Sequence, residues 1–339
     1  MYIDGLNCSR MTRDQLVTLR RARIDAVTTT CGFWEDATES LDAVASWRYF
    51  AEDNADLVGI ARTAGDVRRL AAAGRTALIL GFQNSSMLQG RLSYVDFFAE
   101  IGVRVVQLTY NIQNDIGGSC YEPVDSGLTR FGHEVVERMN RAGMVVDLSH
   151  VGNRTTLDAI HASGRPVAIT HANCSDITEH PRNKPREVLE ALAERGGVIG
   201  VTTYHNLTRG FIDTPEAWSE MVARTVDIAG AAHVGIGTDA NVGGTDEYRA
   251  WMRSGRWSRR PQEGAGLATG AASSGPPAWF RGPGDFPVLD EALRARGFSA
   301  DEVAGLMGGN WLRFYDEVLG VPEPAGYGVR EPALASGGQ

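Results

Sequence analysis

Positive charge is in short supply in this chain of 339 residues: 33 Lys and Arg stand against 42 Asp and Glu, a formal net charge of −9. A nucleic-acid backbone or an anionic membrane surface would meet no broad positive field here. No apolar run approaches the roughly 18 residues that a bilayer span needs, and the opening MYIDGLNCSR lacks the basic-then-apolar order of a secretory signal. Those absences give the expectation of a soluble, cytoplasmic protein without nucleic-acid or membrane partners. Cysteine is sparse as well: Cys8, Cys31, Cys120 and Cys174 form no C-x-x-C pair, which argues against a zinc ribbon or a disulfide scaffold. Despite 40 glycines there is no phosphate-cradling G-x-x-x-x-G-K-[ST], no dinucleotide fingerprint and no G-x-S-x-G elbow. The HEVVE stretch at His133 lacks the second histidine of a zincin helix.

What the chain does contain is alternation. Short runs rich in Val, Ile and Thr at 2–7, 25–30, 77–83, 103–111, 144–150, 166–172, 197–204 and 233–239 are separated by segments of helical spacing, several ending in glycine. Eight strand–helix units in a chain of this length favour a (β/α)8 TIM barrel over an open doubly wound sheet. The barrel would occupy 1–320 as a single domain, with a mobile tail over 321–339. After the eighth strand, residues 240–283 are rich in Gly, Ser, Pro and Arg and too long for an ordinary turn. Trp251, Trp257, Trp279 and Phe280 supply apolar anchors, so this insertion is read as a partly ordered lid.

In such barrels the chemistry gathers at the carboxyl ends of the strands. Here the fifth strand ends in DLSH at His150 and the sixth in ITHAN at His171. The seventh ends in TTYH at Tyr204 and His205, and the eighth in GIGTD at Asp239. Three histidines and an aspartate are thus expected on one rim. Two imidazoles on adjacent strand ends suit Zn²⁺ or a similar ion, and the carboxylate suits proton transfer from an attacking water.

The motifs IDGLN, GFQN, QLTYNIQNDIGGSCYE, VVDLSH, PVAITHAN, HPRN, GIGTD and GGNWLRF, spread over most of the chain, resemble those of the membrane (renal) dipeptidase family. That resemblance implies an amidohydrolase-like barrel, a metallo-dependent hydrolase architecture and zinc-assisted cleavage of dipeptides. Residue by residue it implies that His150 and His171 hold a metal, that Asp239 is the catalytic acid/base and that Arg182 clamps a substrate carboxylate. The pattern also departs from the family's. Where the family places the histidine and second aspartate of Asp-Gly-His-Asn-Asp, this chain has Leu6 and Cys8; Gln83 takes the place of a bridging glutamate; and the fourth strand ends in Tyr110 and Asn111 instead of a histidine.

A two-zinc centre is therefore not expected. The site is read as holding one divalent ion, zinc by its ligands, or none, with Cys8 and Gln83 as weak further ligands. Tyr110 could donate to a developing oxyanion or simply pack, and Asn111, Glu122 and Tyr204 are candidate substrate contacts. The reading that follows is a dipeptidase-like, metal-assisted hydrolase of a small dipeptide or amide bearing a free carboxylate, with a homodimer as what the resemblance implies. Two alternatives stay open: a dipeptidase-derived enzyme doing non-hydrolytic proton transfer, elimination or cyclisation, and a non-catalytic ligand-binding relative.

Overall fold

A computed structural model describes residues 1–255 and 276–320. Nine parallel strands form one sheet: β1 (Tyr2–Asn7), β2 (Ile24–Gly32), β3 (Val58–Ile60), β4 (Thr76–Phe82), β5 (Val103–Gln107), β6 (Val145–Asp147), β7 (Ala168–Ala172), β8 (Val198–Val201) and β9 (Val234–Ile236). Eight run in the order β1-β2-β4-β5-β6-β7-β8-β9, and β3 lies off this path. β3 pairs with the first half of β4, Thr76 to Leu78, and β5 pairs with the second half, Leu80 to Phe82. The sheet returns on itself where the Asp239 N–H donates to Leu6 O at 3.1 Å and the Cys8 N–H to Ala240 O at 2.9 Å. The fold is an α/β barrel, as expected, with β3 an addition too short for a pattern to reveal.

The helices between strands bury one face each. Arg13–Arg21 starts from a capping box at Thr12 and Gln15 and buries Leu16 and Leu19 against the sheet. Arg130–Arg141 does the same with Val135, Val136 and Met139. Helices Ala37–Asp53 and Ser93–Ile101 escaped the sequence reading. The first buries only Ser40, Val44 and Ala51 of its 17 residues, so it carries no clear apolar stripe.

The last described helix, Asn310–Val318, stoppers the barrel at the amino ends of the strands. Trp311, Phe314 and Tyr315 pack with Ile3, Ala26, Ile79, Val105, Val145, Ala168 and Val198, and the Trp311 indole donates to Ile236 O at 2.9 Å. Gly5 and Gly235 make room for that indole, since a Cβ at either would lie within 2.4 or 2.5 Å of it. The opposite end of the barrel is left for the site.

Only parts of the 240–283 insertion are described. Asp246–Ser254 is a helix capped by Thr245, and its Trp251 donates to Glu35 Oε1 at 3.1 Å. Trp279 donates to Ile212 O at 2.8 Å, and Phe280 is buried. Trp257 and the expected tail over 321–339 lie outside the described residues. Among the described residues no helix is long and apolar enough to cross a membrane.

Candidate active site

Several strands end sooner than the sequence suggests, and this shapes the site. β5 stops at Gln107, β6 at Asp147, β8 at Val201 and β9 at Ile236. Tyr110, Asn111, His150, Tyr204 and Asp239 therefore sit on the loops just past the ladder, whereas His171 remains inside β7. Asn111 and Asp239 hold φ at +60° and +55°. Asn and Asp tolerate this left-handed conformation better than other side chains, and such positions concentrate at functional sites.

The two histidines meet ring to ring, Nε2 to Nε2 at 3.1 Å. Their outer nitrogens fix their tautomers. His150 Nδ1 lies 2.6 Å from Asn111 Oδ1, a carbonyl-type acceptor, so the proton belongs on Nδ1. His171 Nδ1 lies 2.8 Å from Thr170 Oγ1. The Thr170 hydroxyl gives its own proton to Asp147 Oδ2 at 2.7 Å and can only accept from the ring, so His171 is also protonated on Nδ1. Both Nε2 atoms consequently present lone pairs to the same point. Burial, reinforced by the Arg182 cation, holds both imidazoles well below their usual pKa, which disfavours a proton shared between them.

Two lone pairs opposed at this distance are well placed to share a cation. Two nitrogens on one tetrahedral zinc, each at about 2.0–2.1 Å, stand about 3.3 Å apart. The outer hydrogen bonds to Asn111 and to the Thr170–Asp147 pair are the supports that orient metal-binding imidazoles. The histidines thus fit one ion. Where a second ion would need ligands, Leu6 has no donor and the Gln83 amide donates to Thr30 Oγ1 at 2.9 Å. Among the described residues no three His, Cys, Asp or Glu side chains converge as a ligand set.

Asp239 faces Cys8, whose thiol donates to Oδ1 at 3.6 Å. Burial raises the Asp239 carboxyl to about 7, opposed by Arg182 and the Cys8 thiol and assisted by Asp4 and Asp147. Burial and the Asp239 charge push the Cys8 thiol well up, so at neutral pH it is a thiol and a donor. Beneath Asp239, the fully buried Asp4 accepts from Thr238 N at 2.8 Å and Thr238 Oγ1 at 2.7 Å, pinning the turn that carries Asp239.

Arg182 is buried, with one N–H to Ser149 O and another to His171 O at 3.0 Å. It therefore grips the backbone at both histidine-bearing strand ends, and its remaining N–H groups have no partner among the described residues. Lys184, also buried, donates to Val151 O at 2.6 Å, and burial beside Arg182 lowers its ammonium to about 7. The sequence reading missed Lys184, Asp4, Asp147 and Thr170. The hydroxyls flanking the acid and the histidines in DLSH and ITHAN were the available signal.

Among the other anticipated residues, the Tyr110 ring stacks on His150 with centroids 4.3 Å apart, and its hydroxyl has no partner among the described residues. The Tyr204 hydroxyl receives bonds from Asn206 and from Arg253 of the insertion helix. Glu122 accepts from Gln113 N at 2.7 Å and braces its own loop. His205 does not join the other histidines as expected: it opens a 3-10 turn and pairs with Asp213, a local acid that captures the imidazole.

A parallel barrel whose open rim carries two metal-ready imidazoles and a perturbed carboxyl defines the class of an amidohydrolase-like enzyme. The profile of "Membrane dipeptidase (Peptidase family M19)" matches residues 8–249, and the chain belongs to that family of hydrolases. It is 28% identical to dipeptidase verJ of Clonostachys rogersoniana over 93% of this chain and 79% of verJ. It spans only 42–56% of the length of several other curated dipeptidases it matches. Among solved structures, an amidohydrolase from Pseudomonas aeruginosa superposes with a TM-score of 0.88 at 34% identity, covering 94% of this chain and 96% of that one. A Rhodobacter sphaeroides metallopeptidase, liganded with a phosphinate mimic of L-Ala-D-Ala, shares the fold at a TM-score of 0.76 and 17% identity over 94% and 99% of the two chains.

Proposed function

We propose that this protein hydrolyses a small dipeptide or related amide bearing a free carboxylate, using one divalent ion, zinc by its ligands, held by His150 and His171. The observation that carries this reading is the convergence of two Nε2 lone pairs at 3.1 Å on a rim shared with Asp239. When bound, the ion would polarise the amide carbonyl and acidify water. Asp239, as carboxylate, takes a proton from the attacking water while the water oxygen bonds to the amide carbon. As the C–N bond breaks, Asp239 returns that proton to the leaving nitrogen and is again a carboxylate. Arg182, with Lys184 behind it, gives the rim a positive potential that suits the substrate carboxylate. Tyr110 offers its unpartnered hydroxyl to the developing oxyanion.

Metal content by elemental analysis, paired with turnover of a panel of dipeptides and acyl amino acids, tests this. About one zinc per chain, lost in His150→Ala and His171→Ala, together with hydrolysis that falls by about 10²–10⁴ in Asp239→Ala, is the expected result. Leu6 and Gln83, neutral where a two-metal centre needs ligands, favour a second reading in which the same Asp239 moves a proton without hydrolysis. Conversion of an amino-acid derivative without uptake of water, persisting under chelation, would select it.

A further inference from the structure

Behind the candidate site lies a cavity of about 370 Å³ that the proposed reaction does not use. It opens between helix Ala37–Asp53 and the chain leaving β1, and its lining is of two kinds. Met11, Ala43, Trp47, Phe50 and Tyr248 form an apolar, largely aromatic floor, while Arg10 and Thr30 bring polar groups to it. Its volume lies within the range of small-molecule pockets.

A wall one side chain thick separates it from the catalytic rim. Tyr248 lines the cavity and packs against the Cys8–Phe33–Trp34–Tyr110 cluster, with its ring 6.1 Å from that of Phe33. Thr30 lines the cavity too, and its hydroxyl oxygen receives the Gln83 amide. That oxygen already accepts one bond, and the Thr30 proton has no acceptor among the described residues. The neighbouring serines are spent: Ser9 donates to Ala240 O at 3.1 Å and Ser46 to Asp42 O at 2.8 Å. Arg10 is exposed and forms no ion pair with any described carboxylate. The cavity thus presents the Thr30 hydroxyl and the Arg10 guanidinium beside an aromatic surface.

We propose that this cavity is a second ligand pocket, distinct from the catalytic rim, for a small aromatic or branched aliphatic carboxylate. The ring or chain lies on Trp47, Phe50 and Tyr248, and the carboxylate takes the Arg10 guanidinium and the Thr30 hydroxyl. Uncharged polar molecules lack the apolar match, and neutral apolar ones leave the guanidinium unpaired.

Isothermal titration with 4-phenylbutyrate tests the pocket, with 4-phenylbutanol as the uncharged isostere. The full chain, Asp239→Asn, Arg10→Gln and Ala43→Trp are compared, each checked for an unchanged circular dichroism spectrum. Ala43 sits on a half-exposed helix face, so the indole fills the cavity without entering the barrel core. Saturable binding kept in Asp239→Asn, weakened about tenfold or more by Arg10→Gln and by the alcohol, and lost in Ala43→Trp supports the proposal. Absence of saturable binding, or binding that survives Ala43→Trp, overturns it. Binding lost in Asp239→Asn places the ligand at the catalytic rim and overturns it equally, and indifference to Arg10→Gln overturns the carboxylate class.

Discussion

Asp239 is held where a small change in its surroundings alters its protonation near neutrality. A base must be unprotonated, so kcat/KM falls as pH drops through about 7, approaching a tenfold loss per unit below it. The Cys8 thiol donates to this carboxylate and stabilises its charged form. Cys8→Ala removes that donor and moves the acid limb of the pH–rate profile to higher pH; a limb that stays in place, or moves down, contradicts the assignment. At this scale the sequence was readable for placement: His150, His171 and Asp239 were expected on one rim, and the structure puts them there. It was not readable where one residue acts through another. Nothing in the spacing says that Thr170 spends its proton on Asp147 and so settles the tautomer of His171, because that depends on a hydroxyl's orientation in space. His205 shows the converse, a histidine in a suggestive position that a nearby acid draws away.

Among the elements, β1 and β9 matter most, because their junction both closes the barrel and carries Asp239. Asp4 ties them through two bonds from Thr238. Thr238→Val is close in shape and removes the hydroxyl donor, leaving a buried carboxyl short of a partner; a loss of about 1–3 kcal/mol in a denaturant titration is expected. The same junction responds to pH. Burial raises the Asp4 carboxyl to about 6 from 3.8, so the folded chain binds that proton more tightly than the unfolded one. Its contribution to stability is therefore full below about pH 4 and is lost as pH rises through 6. Thermal unfolding scanned from pH 4 to 7 in wild type and Asp4→Asn checks the sign, with the slope flatter in the variant. The strands themselves were legible as Val- and Ile-rich runs, but the ends of β5, β6, β8 and β9 were set three or four residues too late, since the polar residues that follow continue the extended chain while bonding to loops.

Across the whole molecule, the barrel was legible because eight repeats of one pattern reinforce each other, whereas the helix Ala37–Asp53 was not, its buried positions being few and small. The floor of the barrel was not legible either: that a tryptophan from the last helix would need glycine at position 5 is a long-range steric fact. Gly5→Ala would drive a methyl into the Trp311 indole, and a destabilisation of about 1–3 kcal/mol, read as a lowered midpoint of thermal unfolding, is expected. That floor has a kinetic meaning. With Trp311, Phe314 and Tyr315 filling the far end, the barrel is a cul-de-sac, so under the proposed hydrolysis reactant, water and both fragments would enter and leave by the rim. Under the same proposal, a fragment that keeps the carboxylate would leave past the cation that admits its parent and compete with it for entry.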